Sequence, residues 1–158
     1  MENNIFEQIL KQSYSLSILK HRIRILKSYL SGYFFNGPKE QFKTEDQNFL
    51  SSLPKDFYSS FNKNNFNEIF SQFDQNISKL PALTIYLAFE PSDEAIERIG
   101  TKVRQLFSPN LILDVKYDPR LIAGCALVWG GVYKDYSLKL KIEESKDKIL
   151  ESFKKFLR

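Results

Sequence analysis

The chain has 158 residues, a formal net charge of +4, one cysteine and one histidine. This length suits one domain of ordinary size or two small ones, each able to bury a core without crosslinks. The single cysteine excludes an intramolecular disulfide and a Cys-x-x-Cys metal motif, and the interspersed charges are not the strongly basic pattern of a nucleic-acid-binding protein.

No apolar run reaches the roughly 18 residues typical of a membrane span. The opening residues MENNIFEQIL carry acidic and amide side chains where a signal peptide carries positive charge. We therefore expect a soluble protein of a reducing compartment that meets a membrane only through a partner.

The first 80 residues are predicted to form a short helical bundle. One predicted helix has an apolar stripe at helical spacing, made of Leu16, Leu19, Ile23, Leu26 and Leu30. The segment SGYFFNGP, residues 31–38, is expected to end this helix because it contains two glycines and a proline. Residues 44–80 are rich in Phe, Asn and Ser, which is compatible with partial disorder, but the many phenylalanines favour buried helices.

After Pro81 the apolar period changes from that of a helix to that of a strand. LTIYLAF (residues 83–89) and LILDVKY (residues 111–117) alternate as half-buried strands, with a helix capped by Ser92 between them. One final helix is predicted from the stripe Leu138, Ile142, Ile149, Phe153 and Phe156. The predicted fold class is α+β: a helical bundle over residues 1–80, then a small mixed-sheet domain (β-α-β-β-α) over residues 81–158.

The stretch that follows the second strand contains most of the polar residues that could be considered for a catalytic role. Asp118 and Pro119 are expected to end the strand, because proline cannot continue a ladder. Leu121 and Ile122 are apolar anchors of the turn. Gly124 would let the backbone enter the next strand close to a neighbour.

The next residues are predicted to form a hairpin that leads into the last helix. CALVW is a strand, and Gly130-Gly131 is the signal of a two-residue primed turn. Asp135 is placed as the N-cap of the last helix, where its carboxylate would accept the N–H of Ser137 or Leu138. Under this interpretation each polar residue has a structural role.

The competing interpretation is a reactive site. A cysteine nucleophile needs a base within reach, yet the only histidine, His21, is distant in sequence from Cys125, which sits in an apolar strand. Asp118 and Asp135 could form a carboxylate pair for acid–base catalysis, but no other residue supports such a site. The glycine pair leads into a strand and lacks the GxxxxGK[ST] pattern of a phosphate loop.

The order Asp118, Leu121, Ile122, Gly124, Asp135, Ser137 resembles the signature of the F-type ATP synthase delta subunit family, which includes the mitochondrial oligomycin-sensitivity-conferring protein. That family carries D-x-x-L-I-G-G, an apolar strand, a turn and D-x-S before its last helix. The chain departs from the family at Ala123, where the family has its first glycine, and its N-terminal part is shorter than the family's six-helix bundle.

The resemblance implies a non-catalytic stator subunit without a cofactor, peripheral on the cytoplasmic face of the cell membrane through its complex. In the family the N-terminal bundle grips the catalytic head, where it takes alpha-subunit N-terminal segments, and the C-terminal domain meets stalk subunit b. The expected head-binding residues are Leu16, Leu19, Ile23 and Leu26, and the expected stalk-binding residues are Phe153 and Phe156. These phenylalanines could instead close the domain's own core.

Two other function classes stay open at this point. A peripheral-stalk subunit of a V/A-type ATPase has a similar C-terminal motif, but its long charged N-terminal helix would lack a break. A small nucleic-acid-binding module would show exposed aromatics beside clustered basic residues on one sheet face, for which Tyr86 and Lys116 are the candidates. An enzyme of another type has no supporting residue.

Overall fold

The computed structural model describes residues 2–36 and 41–156, with side chains from Ile5 onward. Its first part is helical, with α1 (Glu2–Gln12), α2 (Leu16–Phe35), α3 (Thr44–Ser52), α4 (Lys55–Ser59) and α5 (Phe66–Lys79). Its second part contains β1 (Ala82–Leu87), α6 (Asp93–Leu106), β2 (Ile112–Tyr117), β3 (Cys125–Trp129), β4 (Val132–Asp135), α7 (Leu138–Glu144) and α8 (Lys146–Phe156). A 3₁₀ turn, Pro119–Leu121, follows β2. The predicted α+β class is confirmed.

The helical part is held together by aromatic packing. Phe57, Phe61, Phe66, Phe70 and Phe73 form a chain of ring contacts through α4 and α5, with centroids 4.9 to 6.0 Å apart. All five side chains are buried, so the Phe-rich stretch forms helices rather than a disordered segment. The α2 helix runs through Gly32 to Phe35, and Gly37 and Pro38 of the predicted break lie outside the described residues.

The second part is a four-stranded mixed sheet with strand order β2-β1-β3-β4, in which only β1 and β2 are parallel. The α6 helix covers one face, where Ile96, Ile99 and Val103 pack on the buried leucines and isoleucine of β1. Ser92 caps α6 as expected, since its side chain accepts the Ala95 N–H at 3.3 Å. Gly130 and Gly131 both have positive φ, 55° and 79°, which confirms the predicted primed hairpin turn.

The end of the chain differs from the prediction of one continuous helix. Ser145 has φ −100° and ψ 4° and separates α7 from α8. The Ser145 N–H still donates to the Lys141 carbonyl and the Ser145 carbonyl accepts from Ile149, both near 3 Å, so both backbone groups of Ser145 stay paired at the break. The last two residues of the predicted helix lie outside the described residues.

The connection between α1 and α2 lies along the free edge of β2. The Leu113 N–H donates to the Tyr14 carbonyl at 3.0 Å, and Ser15 forms an isolated parallel bridge with Leu113. Tyr14 also fits against α6 at Gly100, where a β-carbon would lie 2.7 Å from the Tyr14 Cβ. The helical part and the sheet are therefore joined through backbone pairing and close packing.

Arg104 reinforces this junction from α6. Its guanidinium donates to the backbone carbonyls of Leu10, Lys11, Ser13 and Leu111, at 2.6 to 3.4 Å. Its Cζ also lies 4.9 Å from the ring centroid of Tyr14. One side chain thereby satisfies the C-terminal carbonyls of α1 and the residue that precedes β2.

Replacing Arg104 with leucine should lower the free energy of unfolding by about 2 to 4 kcal/mol, because several carbonyls at the junction lose their charged donor. The matched control is Arg98→Leu on the exposed surface of the same helix, which should change it by less than about 0.5 kcal/mol. Urea unfolding of both variants measures the difference, and equal effects would contradict the assigned role of Arg104.

Candidate partner-binding surfaces

The segment of residues 118–137, which resembles the delta-subunit signature and is called the family motif below, begins with a capped turn. Asp118 accepts the Arg120 N–H at 3.0 Å and pairs with the Arg120 guanidinium at 2.8 and 2.9 Å. The side-chain hydrogen bond from Arg120 is the main reason that the pKa of Asp118 lies below its ordinary value. Leu121 is buried and anchors the turn, as expected.

Ile122 has an uncommon backbone conformation. Its φ is 66° and its ψ is −54°, and the Ala123 N–H donates to the Leu121 carbonyl at 2.7 Å. This is a γ-turn of the rarer hand, and a β-branched residue is strained in it. Ile122 is 60% exposed, so it does not anchor the turn by burial as Leu121 does, although both were predicted to be apolar anchors.

Gly124 permits the close approach that was predicted for it. Its φ is +81°, and a β-carbon there would lie 2.6 Å from the Tyr136 carbonyl oxygen. Ala123 accepts the Leu138 N–H at 2.8 Å and lacks positive φ, which falls instead on the residues on either side of it. A methyl group is therefore accommodated where the family has its first glycine.

The N-cap of α7 lies two residues later in the chain than predicted. Asp135 is the last residue of β4, and its Oδ1 accepts the Ser137 N–H at 2.7 Å. The N-cap is Ser137, which is fully buried and accepts the Leu140 N–H at 3.3 Å. Asp135 therefore positions the capping serine rather than capping the helix itself, and its pKa is lowered chiefly by hydrogen bonding from Ser137.

Cys125 and His21, the two residues considered for nucleophilic catalysis, lie on different elements, β3 and α2. Cys125 is half-buried and packs within the sheet core, while His21 Nε2 lies 2.8 Å from Asp46 Oδ1 on the helical part. Across residues 2–36 and 41–156, no group of three or more His, Cys, Asp or Glu side chains could hold a metal ion.

Lys116, the lysine predicted as a candidate for nucleic-acid binding, is paired with a carboxylate on the sheet. Lys116 Nζ lies 3.3 Å from Asp114 Oδ2 and 5.7 Å from the Tyr86 ring centroid. The candidate lysine is thus paired with a neighbouring carboxylate, which reduces the positive field that phosphate groups require.

A groove of about 620 Å³ lies between α2 and α5 and reaches the end of the sheet. Its lining combines apolar residues with the cations Lys20, Arg24 and Lys27, and Asp74 is the carboxylate among the lining residues. Leu16 and Ile23 line this groove. Leu19 and Leu26 do not, because both are fully buried in the protein's own core, and the predicted four-residue partner stripe must be corrected on this point.

A second surface runs along α7 and α8. Neither helix has a buried residue, and the side chains of Phe153 and Phe156 are 62% and 93% exposed. In this structure the phenylalanines therefore do not close the core. Ile149, Phe153 and Phe156 line a shallow depression together with Lys148 and Ser152.

Among the helices of the described ranges, none is both long and apolar enough to cross a membrane.

Replacing Ile122 with glycine should stabilise the isolated protein by about 1 kcal/mol, because glycine adopts positive φ without steric cost. The control is Ala123→Gly at an adjacent exposed position without positive φ, which should be neutral or destabilising. Thermal unfolding compares both variants with wild type. A lower melting temperature for Ile122→Gly than for wild type would contradict the conclusion that Ile122 is strained.

Stability should also fall in acid through the two motif carboxylates. The folded-state pKa values of Asp118 and Asp135 lie below the ordinary 3.8, so their contribution is present above that pH and is lost as pH falls through the folded values. Melting temperatures of wild type and Asp118→Asn/Asp135→Asn should therefore converge as the pH falls below the folded-state pKa values of the two carboxylates. A constant difference at all pH values would contradict this linkage.

The chain was compared with known families and proteins. The family model described as ATP synthase delta (OSCP) subunit matches residues 4–149, which include the helical part, the sheet and the 118–137 motif. The search of curated proteins found no match. The chain belongs to the ATP synthase delta (OSCP) subunit family, whose members are structural peripheral-stalk subunits of the F-type ATP synthase.

Proposed function

We propose that this protein is the non-catalytic stator subunit that links the catalytic head of an F-type ATP synthase to its peripheral stalk. It would keep the head from turning with the rotor and so serve proton-driven ATP synthesis. The observation that carries the proposal is the presence of two separate candidate surfaces, the α2–α5 groove and the α7–α8 surface, joined by the Arg104 junction. Its place would be the cytoplasmic face of the cell membrane, through the complex.

The head contact is assigned to the α2–α5 groove. Leu16, Ile77 and Leu80 offer partly exposed apolar contacts, while Lys20, Arg24 and Lys27 supply positive charge along one side of α2. Such a groove suits an amphipathic helix that bears acidic residues. We assign it to alpha-subunit N-terminal segments of the head.

The stalk contact is assigned to the α7–α8 surface. Phe153 and Phe156 are large, apolar and exposed, and aromatic anchors of this kind dominate the binding energy of protein interfaces. Stalk subunit b is the proposed partner.

The V/A-type alternative required a long, unbroken, charged N-terminal helix. Within the described residues before β1, the structure instead has five helices, the longest of them 20 residues. The geometry therefore favours the F-type assignment.

Removing residues 152–158 should weaken stalk binding by about 30-fold or more, because both aromatic anchors are lost, and should leave head binding within about twofold. The reciprocal variant Lys20→Glu/Arg24→Glu/Lys27→Glu should weaken head binding and spare the stalk. Both proteins should stay folded, because no residue of α8 is buried and the three cations are exposed.

Calorimetry or pull-downs with separately purified head and stalk subunits test the proposal. A folded truncated protein with full stalk affinity would remove the stalk assignment. A charge-reversed protein with full head affinity would remove the groove assignment.

A further inference from the structure

The only histidine of the chain links side chains of two helices through hydrogen bonds. His21 Nε2 lies 2.8 Å from Asp46 Oδ1 on α3, and His21 Nδ1 lies 3.0 Å from Nη2 of Arg24, one turn later on α2. His21 and Arg24 are exposed and Asp46 is half-buried, so this chain of contacts lies at the surface, where protons exchange freely with solvent.

These two contacts fix the tautomer of the neutral ring. A guanidinium group can only donate hydrogen bonds, so the contact with Arg24 requires a lone pair on His21 Nδ1. The proton of the neutral ring therefore sits on Nε2 and is donated to the Asp46 carboxylate. A second proton would have to bind at Nδ1, where it would point at the Arg24 N–H groups. Protonation of His21 thus breaks the hydrogen bond with Arg24, while the contact with Asp46 becomes an ion pair.

Arg24 lies between His21 and the α2–α5 groove. Lys20, Arg24 and Lys27 line that groove, whereas His21 lines a different cleft, on the side of α2 that faces α3 and α6. At about 100° per residue, Arg24 is about 60° around α2 from His21 and about 40 to 60° from the two lysines. The Arg24 side chain can therefore turn to either side of the helix, and the hydrogen bond turns its guanidinium toward His21.

The cleft around His21 carries charges of both signs. Its other charged lining residues are Lys11 of α1, Arg22 of α2, Glu45 and Asp46 of α3, and Asp93 and Glu97 of α6. Arg22 is engaged elsewhere, since it donates to Ser13 Oγ at 3.1 Å and its Cζ lies 4.9 Å from the Phe49 ring centroid. Asp46 and Arg24 lie within hydrogen-bond distance of the His21 ring, so a change in the charge of the ring acts on these two groups first.

We propose that His21 is a positioning residue: the neutral ring holds the Arg24 guanidinium away from the α2–α5 groove, and the protonated ring releases it to the groove. This rests on the proposed function, in which the groove takes an acidic helix of the catalytic head. Histidine ordinarily changes charge between pH 5 and 8, so affinity for that helix rises as the pH falls through this range. By linkage, the bound helix in turn promotes proton uptake at His21.

The test measures head affinity at about pH 8 and about pH 5.5, on the two sides of the usual histidine titration. The probes are the purified catalytic head and a synthetic peptide of the alpha-subunit N-terminal segment, measured by calorimetry at constant ionic strength. His21→Asn keeps a hydrogen-bond acceptor for Arg24 near the Nδ1 position but does not titrate. Arg24→Gln removes the released cation and keeps the histidine. The matched control is Lys20→Gln, which removes a groove cation farther around α2 from His21.

The wild-type dissociation constant should fall by about threefold or more between the higher and the lower pH. In His21→Asn and Arg24→Gln it should change by less than about 1.5-fold, and Lys20→Gln should bind more weakly at both pH values but keep the wild-type ratio. Arg24→Gln separates release of the guanidinium from the charge that His21 itself gains, because that variant still contains the titrating ring.

Nitrogen NMR of the imidazole tests the geometry without any partner. The free protein near pH 8 should carry the ring proton on Nε2, and a proton on Nδ1 would overturn the inference.

The binding outcomes separate the inference from the proposed function. Wild-type binding to the head with the same pH ratio in His21→Asn or Arg24→Gln removes the role of His21 and leaves the groove assignment intact. An absence of head binding by the folded wild type at both pH values removes the groove assignment as well. Circular dichroism at both pH values checks that each variant is folded, and His21→Gln replaces His21→Asn if it is not.

Discussion

The placement of residues 13–15 against the edge of β2 is the constraint on which the rest of the structure depends. Ser13 and Ser15 are fully buried, Ser13 Oγ donates to the Ile9 carbonyl at 2.8 Å, and Ser15 caps α2. Between them, the Tyr14 carbonyl accepts a sheet N–H. Three consecutive residues thereby end one helix, begin the next and attach both to the sheet.

This attachment explains why the two parts share interior residues. Ile112 belongs to β2, yet it is fully buried in the helical core, and the Arg104 guanidinium on α6 binds carbonyls of α1. For a subunit that we propose to hold the head against the stalk, a bonded junction of this kind would carry force between its two surfaces. The division of the chain into domains between residues 80 and 81 stays a prediction, and Ile112 and Arg104 both make contacts across that boundary.

Asp118, Gly124 and Asp135 of the family motif each have a structural role. Asp118 caps a turn, Gly124 passes within contact distance of a carbonyl, and Asp135 orients the serine that caps α7. The motif thus connects the 3₁₀ turn, β3, β4 and α7 at one corner of the sheet. The strain at Ile122 lies in the same corner, where an exposed isoleucine is held by the fixed positions of its neighbours.

The sequence by itself determined the elements that follow from local rules. The change from helical to alternating periodicity at Pro81 predicted the α+β class, and Gly130-Gly131 predicted the hairpin, because only residues tolerant of positive φ make that turn. The motif spacing identified the family, which the match over residues 4–149 confirms.

The tertiary structure decided which of those features face inward and which face solvent. A helical stripe of leucines looks the same whether it meets the protein's core or a partner, so the burial of Leu19 and Leu26 could be settled only by the packing of α2 in the bundle. The capping role passed from Asp135 to Ser137 because β4 extends to Asp135 before the helix begins. The Arg104 junction could not be predicted from the sequence either. The carbonyls that accept from Arg104 at the end of α1 lie more than 90 residues away in sequence, and they meet the Arg104 side chain only when the chain folds.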